Sequence, residues 1–448
     1  MQPPLSYVYM AGILMQREHE VQLLDANGLN LNFNHISTYI HAYKPDVVIT
    51  RSTPSTFQSD IQVVKIAKMA GARTYMLNWN LSGFAEEVMR RVPELDHYIT
   101  AYSYENILNQ VVELPASVEC GVVSRTENGD ILNFKEGPIK PIGDIPAPPW
   151  ELVGDHSRFF TRTKAISPWG VVRGSRGCNS SCLMCVECMT KLDPRTPELI
   201  VDEVEELVTK YGVKYLSFFD DTFTSDLDWA NQIADNFIER KLKFKWFINT
   251  RPDCVDRETM LNLKAAGLDG VSLGVESGND DVLRQINKGF TTLESVEAVK
   301  TIRDVGVKTY ISMMMGLPGE TRQQMLDTYN HILDLKPHGF QISIVIPYPH
   351  TPLYHKAVKD GLIAPELIWN GMSCVPTGME EDYVQLSTLT PSELVGLRRD
   401  FYTKLYTHPR YLLPNLAWAV THPADFRIAL SYGASILHRI LNKVTYSH

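Results

Sequence analysis

The sequence predicts an α/β protein: a doubly wound, Rossmann-like parallel sheet, then a partial (β/α)6 barrel, then a mainly helical region. Three observations predict it. Short β-branched runs alternate with helical segments over residues 1 to about 113. A hairpin signal and a proline-rich stretch interrupt that alternation between Gly121 and Trp150. From Trp169 the alternation resumes for six strand and helix units. The implied organisation is a sheet domain over 1–120, a linker over 121–163, a barrel over 164–363 and a helical region over 364–448. A chain of 448 residues, 44% hydrophobic and 21% charged, is too large for one ordinary core, which agrees with this division.

In the first domain His19–Leu24, Asp46–Thr50, Arg73–Leu77 and His97–Thr100 read as strands, with Leu5–Arg17, Asp60–Ala70 and Ala85–Arg91 as helices. Ligands of such sheets bind beyond the carboxyl ends of the strands. Here those ends are the turns Asp25–Gly28, Thr50–Thr53 and Asn78–Gly83, rich in hydroxyls and amides. Glu127-Asn-Gly-Asp130 reads as a hairpin turn and Ile145-Pro-Ala-Pro-Pro-Trp150 as a stiff extended linker. The barrel strands are expected at Gly170–Arg173, Tyr215–Phe219, Lys245–Asn249, Gly270–Val275, Lys308–Met315 and Gln341–Ile346. Between them lie helices such as Leu199–Tyr211, with Ile200, Val204, Leu207 and Val208 on one face. From about Ala364 the chain reads as helical, and it ends in an amphipathic stretch, Phe426–Val444, read as packing against the barrel.

A formal net charge of −9 and a pI near 5.8 argue against a nucleic-acid binder, for which a basic face is expected. The sequence contains no run of about 18 apolar residues. The N-terminus has no basic segment followed by an apolar core. The expectation is a cytoplasmic protein with no transmembrane segment. Seven cysteines, four of them between positions 178 and 188, do not make a disulfide framework and fit a reducing compartment.

Those clustered cysteines are the most specific feature of the chain. Arg-Gly-Cys178-Asn-Ser-Ser-Cys182-Leu-Met-Cys185 spaces three thiols as C-x3-C-x2-C, so that they can close around one face of an iron–sulfur cube and leave the fourth iron open. Zinc sites more often pair C-x2-C with a second, distant pair, and no second C-x2-C stands outside this cluster. Cys188 reads as a spare thiol, and Cys120, Cys254 and Cys374 as small apolar residues. Polar turns follow the barrel strands. Asp220 and Asp221 could accept bonds from an amino group or ribose hydroxyls. Arg251 could fork onto a carboxylate, and Gly274, Glu276 and Ser277 form a further polar turn with room for close approach. Trp246, Tyr310 and Tyr348 read equally as cavity lining or as core. No Ser-His-Asp arrangement or paired general acid and base is evident.

With this loop and these turns in order, the chain resembles the radical S-adenosylmethionine (SAM) enzymes, in particular the class with an N-terminal cobalamin-binding domain. That class includes methylases of unactivated carbon and the anaerobic Mg-protoporphyrin ester cyclases. Pro3–Met10, His19-Glu-Val21, the proline-rich linker, Gly316-Leu-Pro-Gly-Glu320 and Pro347–Tyr354 carry the class resemblance, which spans roughly residues 1–360. The resemblance implies a [4Fe–4S] cluster on Cys178, Cys182 and Cys185, and SAM on the open iron near Asp220, Asp221, Arg251, Gly274, Glu276 and Ser277. It implies cobalamin in the first domain, near Thr50, Ser52, Thr53, Asn78 and Ser82. It further implies a flavodoxin- or ferredoxin-type electron donor, anaerobic chemistry and a small-molecule, lipid or peptide substrate. The implied reaction is reductive cleavage of SAM to a 5′-deoxyadenosyl radical, followed by methylation of an unactivated carbon.

Alternatives are oxidative cyclisation, a radical SAM enzyme without cobalamin, methylthio transfer and an electron-transfer module. Methylthio transfer would need a second cluster in the first domain, and no cysteine precedes Cys120. The chain departs from the class in three ways. Met184 stands where an aromatic residue is usual, the first strand of the sheet is expected to be missing, and no Asp-x-His-x-x-Gly loop is present. His19 reads as a packing residue rather than a cobalt ligand.

Overall fold

A computed structural model describes residues 2–53, 56–113, 121–134, 142, 145–160, 166–363 and 383–421. The chain divides into two compact units, Met1–Arg158 with Asp193–Arg195, and Phe159–Leu192 with Thr196–His448.

The first unit is built on a five-stranded sheet in the order β1 (Val47–Arg51), β2 (Arg73–Leu77), β3 (His97–Ile99), β4 (Val122–Arg125), β5 (Ile131–Phe134). The first three strands are parallel, and β4 and β5 continue the sheet antiparallel through the turn expected at Glu127–Asp130. Helices cover both faces because successive side chains of a strand point to opposite sides. Val47 and Ile49 join Tyr75, Leu77 and Ile99 in one cluster, under α1 (Leu5–Met15). Val48 joins the opposite cluster with Ile36 and Ile40 of α2 (Phe33–Tyr43) and Ile66 of α3 (Phe57–Met69). Two shorter helices, α4 (Ala85–Arg91) and α5 (Leu108–Glu113), complete the unit.

Residues 19–24 form no strand, contrary to their β-branched pattern. Their side chains are held instead by packing and by α2. Val21 packs into one cluster and Leu24 into the other, while Gln22 and Glu20 accept hydrogen bonds from Tyr39 and Tyr43. At Arg51 of β1 a side chain binds the backbone: Tyr7 Oη accepts from Arg51 N at 2.7 Å and donates to Arg51 O at 3.3 Å. Asp25–Gly28 is consequently not a strand-end turn. Asp25 accepts from Gly28 N at 2.9 Å and pairs with Arg158 at 3.2 Å. His19 lies 3.3 Å from Glu113.

Residues 121–163 do more than connect. They supply β4 and β5, and the proline-rich run ends on Trp150, which is fully buried.

The second unit contains six parallel strands, β6 (Trp169–Val172), β7 (Tyr215–Phe218), β8 (Lys245–Thr250), β9 (Leu268–Glu276), β10 (Lys308–Met315) and β11 (Gly339–Ile344). Each pairs with its neighbour in sequence, and β6 and β11 are the two edges of an open barrel. The helices are α6 (Pro197–Thr209), α7 (Leu227–Glu239), α8 (Arg257–Ala265), α9 (Asp280–Gln285), α10 (Thr292–Asp304), α11 (Arg322–Leu335) and α12 (Pro352–Lys359). All six strands stand where the alternation predicts, because parallel strands buried on both faces read as apolar runs. Trp246 is core, not cavity lining. It is fully buried and meets Phe218, Phe223 and Phe237 edge-on at 5.6–5.7 Å, with its indole N–H donating to Ala266 O at 3.0 Å.

Near the amino ends of the strands Asp269 is held between Lys245 at 2.8 Å and Lys308 at 3.0 Å. Burial alone would raise its pKa, but the two ammonium groups more than offset this and hold it below the ordinary carboxylate range. A lowered folded-state pKa contributes stability that is complete above the unfolded value of about 4 and is lost as pH falls through the folded one. Asp269→Asn is therefore expected to cost on the order of 2 kcal/mol at neutral pH. In denaturant titrations at several pH values that difference should close as pH falls below the ordinary carboxylate range and through the folded-state pKa. A difference independent of pH would exclude the ion pairs as its origin.

Beyond the barrel, α13 (Pro391–Thr407) starts at a capping box between Thr390 and Glu393 and is followed by α14 (Pro409–Thr421). Phe340 of β11 packs against Tyr402, Tyr406 and Tyr411 at 4.9–5.4 Å and seats both helices. Where it is described the region is mainly helical, residues 383–390 being irregular. The stretch Phe426–Val444, Cys120 and Cys374 lie outside the described residues.

Candidate active site

The carboxyl ends of the six barrel strands converge on the cysteine loop, which follows β6. Its entry turn requires glycine at Gly177, where φ is +78° and a Cβ would fall on the Lys191 carbonyl. The loop is tied down at both ends. Asp220, after β7, accepts from Gly174 N at 2.9 Å and from Ser175 Oγ at 2.5 Å. Leu183 N donates to Ile286 O at 2.9 Å, and Asn287 bonds Ser181 Oγ at 3.0 Å.

Each of two thiols meets donors suited to a sulfur carrying negative charge. Cys178 Sγ lies 3.5 Å from Ser180 N and 3.7 Å from Thr222 Oγ1, and Cys182 Sγ accepts from Arg251 Nη1 at 3.6 Å. Cys182 is buried, whereas Cys178 and Cys185 are partly exposed. Burial, with the charges of Asp221, Cys182 and Glu187 adding to it, pushes the Cys185 thiol up to about 12. Among the described residues no three His, Cys, Asp or Glu side chains converge as ligands of a single metal ion. A cube binds its thiolates on separate irons, so the donor chemistry and the N–H and guanidinium donors around the sulfurs are what fit it.

The expected SAM residues fall into two groups. Asp221 keeps solvent access at the end of β7, although the barrel surrounds it. Desolvation first, then Glu187, raises its carboxyl to about 7, against the pull of Arg173. The others already have protein partners. Asp220 is almost fully buried and engaged with the cysteine loop, and burial raises it to about 6. Arg251 forks onto Asp253 at 2.9 and 2.8 Å and donates to Lys288 O at 2.5 Å, leaving Nη1 on Cys182. Ser277 is fully buried, with Thr328 Oγ1 at 3.3 Å. Glu276 adopts φ +70° beyond a bulge in the pairing of β9 with β10, and accepts from Lys288 Nζ at 3.0 Å. A side chain on Gly274 would meet that pair, 2.8 Å from Glu276 Oε1 and 3.2 Å from Lys288 Nζ.

Residues 172–332 match the radical SAM superfamily. The chain thus contains a radical SAM domain that spans the cysteine loop. It is 27% identical over 424 residues to an uncharacterized methyltransferase of Pyrococcus horikoshii, covering 92% of this chain and 90% of that one. It is 25% identical to the anaerobic magnesium-protoporphyrin IX monomethyl ester cyclase of Cereibacter sphaeroides, covering 79% of this chain and 60% of that one. Its fold is shared with TsrM from Kitasatospora setae, a radical SAM methyltransferase solved with cobalamin and a [4Fe–4S] cluster. The TM-score is 0.68 at 16% identity, over 82% of this chain and 74% of TsrM. OxsB, a cobalamin-dependent SAM radical enzyme solved with aqua-cobalamin and SAM, gives 0.65 at 17% identity, over 90% of this chain and 59% of OxsB.

Two residues of this site escaped sequence reasoning. Lys288 is buried beside the cysteine loop, and its positive charge is favoured by Glu276 and Cys182 against the cost of burial. Lysine in a sequence reads as surface, and only the Asn-Lys-Gly turn after α9 hinted otherwise. Cys254 is not simply a small apolar residue. It sits on the turn Pro252–Cys254 with Sγ 4.0 Å from Asp253, and its carbonyl accepts from Thr224 at 2.7 Å. Burial raises its thiol to about 11, with Asp253 and Cys178 adding to the shift. The side chain of Cys188 lies outside the described residues.

In the first unit the expected cobalamin residues gather at the carboxyl ends of β1 and β2. Thr50 is buried and donates to Tyr75 O at 3.3 Å, and Ser52 N bonds Leu77 O at 2.9 Å. Thr53 and Thr56 share a hydroxyl contact of 2.9 Å, and Ser82 lies on the helical turn Trp79–Phe84. Asn78 is buried, and its carbonyl oxygen accepts from Leu81 N at 3.3 Å. Its amide Nδ2 has no partner among the described residues. A buried orphan donor at a strand end fits a ligand that carries acceptors.

Proposed function

We propose that this chain is a cobalamin-dependent radical SAM methyltransferase acting on an unactivated carbon. The observation that carries this reading is the three-thiol loop held at the barrel mouth, with donors on two of its sulfurs and the carboxylate of Asp221 beside it. Cys178, Cys182 and Cys185 would hold a [4Fe–4S] cluster. When bound, the cluster and cobalamin supply the reducing electron and the methyl carrier for SAM-dependent chemistry.

The chain's own residues bind and orient. Asp221 offers the accessible carboxylate for an amino group. Arg251 and Lys288 set a positive field at Cys182, and Asp220 holds the loop in register. Thr50, Ser52, Thr53, Asn78 and Ser82 form the candidate corrinoid site, with Asn78 Nδ2 the donor still to be satisfied. The reading includes a reducing cytoplasm, a separate one-electron donor and a small-molecule, lipid or peptide substrate. The likeness to the protoporphyrin ester cyclase supports a second reading, oxidative cyclisation with the same cofactors.

Anaerobic expression with cobalamin, followed by assay of iron, sulfide and corrinoid, tests the proposal. About four iron and four sulfide with one cobalamin is the expected result. A cluster without corrinoid would reduce the reading to a radical SAM enzyme lacking cobalamin. Asp221→Asn is expected to weaken SAM binding about tenfold while iron content stays unchanged, as for loss of one charge-assisted hydrogen bond. Unchanged affinity would remove Asp221 from the SAM site.

A further inference from the structure

The three thiols of the cysteine loop stand in different electrical surroundings. Cys178 meets two neutral donors, Ser180 N at 3.5 Å and Thr222 Oγ1 at 3.7 Å. Cys185 lies in the negative field of Asp221 and Glu187. Cys182 receives a guanidinium, with Arg251 Nη1 at 3.6 Å from its sulfur.

A second cation stands behind that guanidinium. Arg251 Nη2 donates to Lys288 O at 2.5 Å, and both charged groups lie over the ring of Phe290, 5.4 and 5.8 Å from its centre. Arg251, Lys288 and Cys182 are each 6–8% exposed. Two like charges sharing one buried ring repel, so the arrangement depends on anions. Asp253 takes the fork of Arg251 at 2.9 and 2.8 Å, and Glu276 takes Lys288 at 3.0 Å. The remaining arm of Arg251 is left to the sulfur. Burial opposes the Lys288 ammonium, whereas Glu276 and Cys182 favour it, so its field reaches the thiol.

The backbone is bent to hold this group. Glu276 adopts φ +70°, a left-handed conformation that costs a residue with a side chain on the order of 1 kcal/mol or more. The turn that carries Lys288 also grips the cysteine loop, Ile286 O accepting from Leu183 N at 2.9 Å and Asn287 bonding Ser181 Oγ at 3.0 Å. Lys288 and the loop are therefore fixed to one another. Positive charge and hydrogen bonds at a ligating sulfur favour the reduced form of an iron–sulfur cluster.

We propose that Lys288, acting with Arg251 at Cys182, sets the reduction potential of the cluster held by the three thiols, and raises it. The inference rests on the three-thiol cluster reading given above. Glu276 is the counterweight, since it draws on the same ammonium from the other side. The electron comes from the separate one-electron donor, the thiolates stay ligated, and no bond forms or breaks.

The test is a redox titration of the full-length, cluster-loaded chain without SAM at a fixed neutral pH, followed by electron paramagnetic resonance of the reduced cluster. K288M leaves the backbone carbonyl that Arg251 uses and removes the charge. It is expected to lower the one-electron reduction equilibrium about tenfold, a downward shift of about 59 mV. E276Q, which removes the counterweight, is expected to shift the potential upward. K288R keeps the charge and is expected to stay within about threefold of the wild type. Opposite shifts from the two ends of one ion pair are what a loosened loop would not give. An unmoved potential in K288M, or shifts of the same sign in K288M and E276Q, overturns the inference and leaves the cluster reading standing. If K288M assembles no cluster, E276Q decides: a rise supports the inference, and no rise overturns it. A wild-type chain that binds no cluster overturns both.

Discussion

Cys182→Ala is expected to give a folded protein with little iron, no iron–sulfur absorption and no detectable 5′-deoxyadenosine. Cys182 is the central thiol of the loop, buried, and receives the free arm of Arg251 at 3.6 Å. Removing it leaves two thiols, too few for a stable cube. It also leaves the guanidinium facing a vacant position. The fall in SAM cleavage should exceed about a thousandfold, because the cofactor rather than any side chain carries the electron. Iron and sulfide assays with product chromatography measure it. Conservative Cys182→Ser should fail equally, since a hydroxyl is a poor ligand for this soft cluster. An intact cluster in either variant would remove the three-thiol assignment.

The second large effect is expected at Trp246, far from any reacting atom. Trp246→Ala should destabilise the second unit by about 3–5 kcal/mol, the range for truncating a fully buried aromatic side chain. Its ring is where Phe218 and Phe223 meet, and these two flank the turn that carries Asp220, Asp221 and Thr222. The cavity should therefore loosen the contacts of Asp220 with Gly174 and Ser175, and of Thr222 with Cys178. The expected signature is a lower thermal midpoint together with a lower iron content at temperatures where the variant remains folded. Trp246→Phe should retain most of both. If Trp246→Ala lowers stability and leaves cluster content unchanged, the aromatic core does not position the loop.

Legibility followed the range of the interaction concerned. The six barrel strands and the hairpin at Glu127–Asp130 were readable because alternation and turn chemistry are local. Local pattern also misled. His19–Leu24 has the composition of a strand, but a ladder needs a partner, and these side chains are engaged with α2 and the two clusters instead. Arg251 and Asp220 were placed correctly at strand ends, whereas their partners were not readable. Arg251 is 69 residues from Cys182, and Asp220 is 45 from Ser175. Lys288 went unnoticed because burial of a lysine depends on an ion pair that no local pattern announces.

By itself the sequence determined the three-thiol loop and the order of six strand and helix units, since each is written within a few consecutive residues. Only the tertiary structure decided which carboxylate stays accessible, Asp221, and which is spent on the loop, Asp220. It alone brought the cations of Arg251 and Lys288 to Cys182. These outcomes depend on closing the sheet, which brings strand ends separated by tens of residues within hydrogen-bond distance, and on the desolvation that closure imposes.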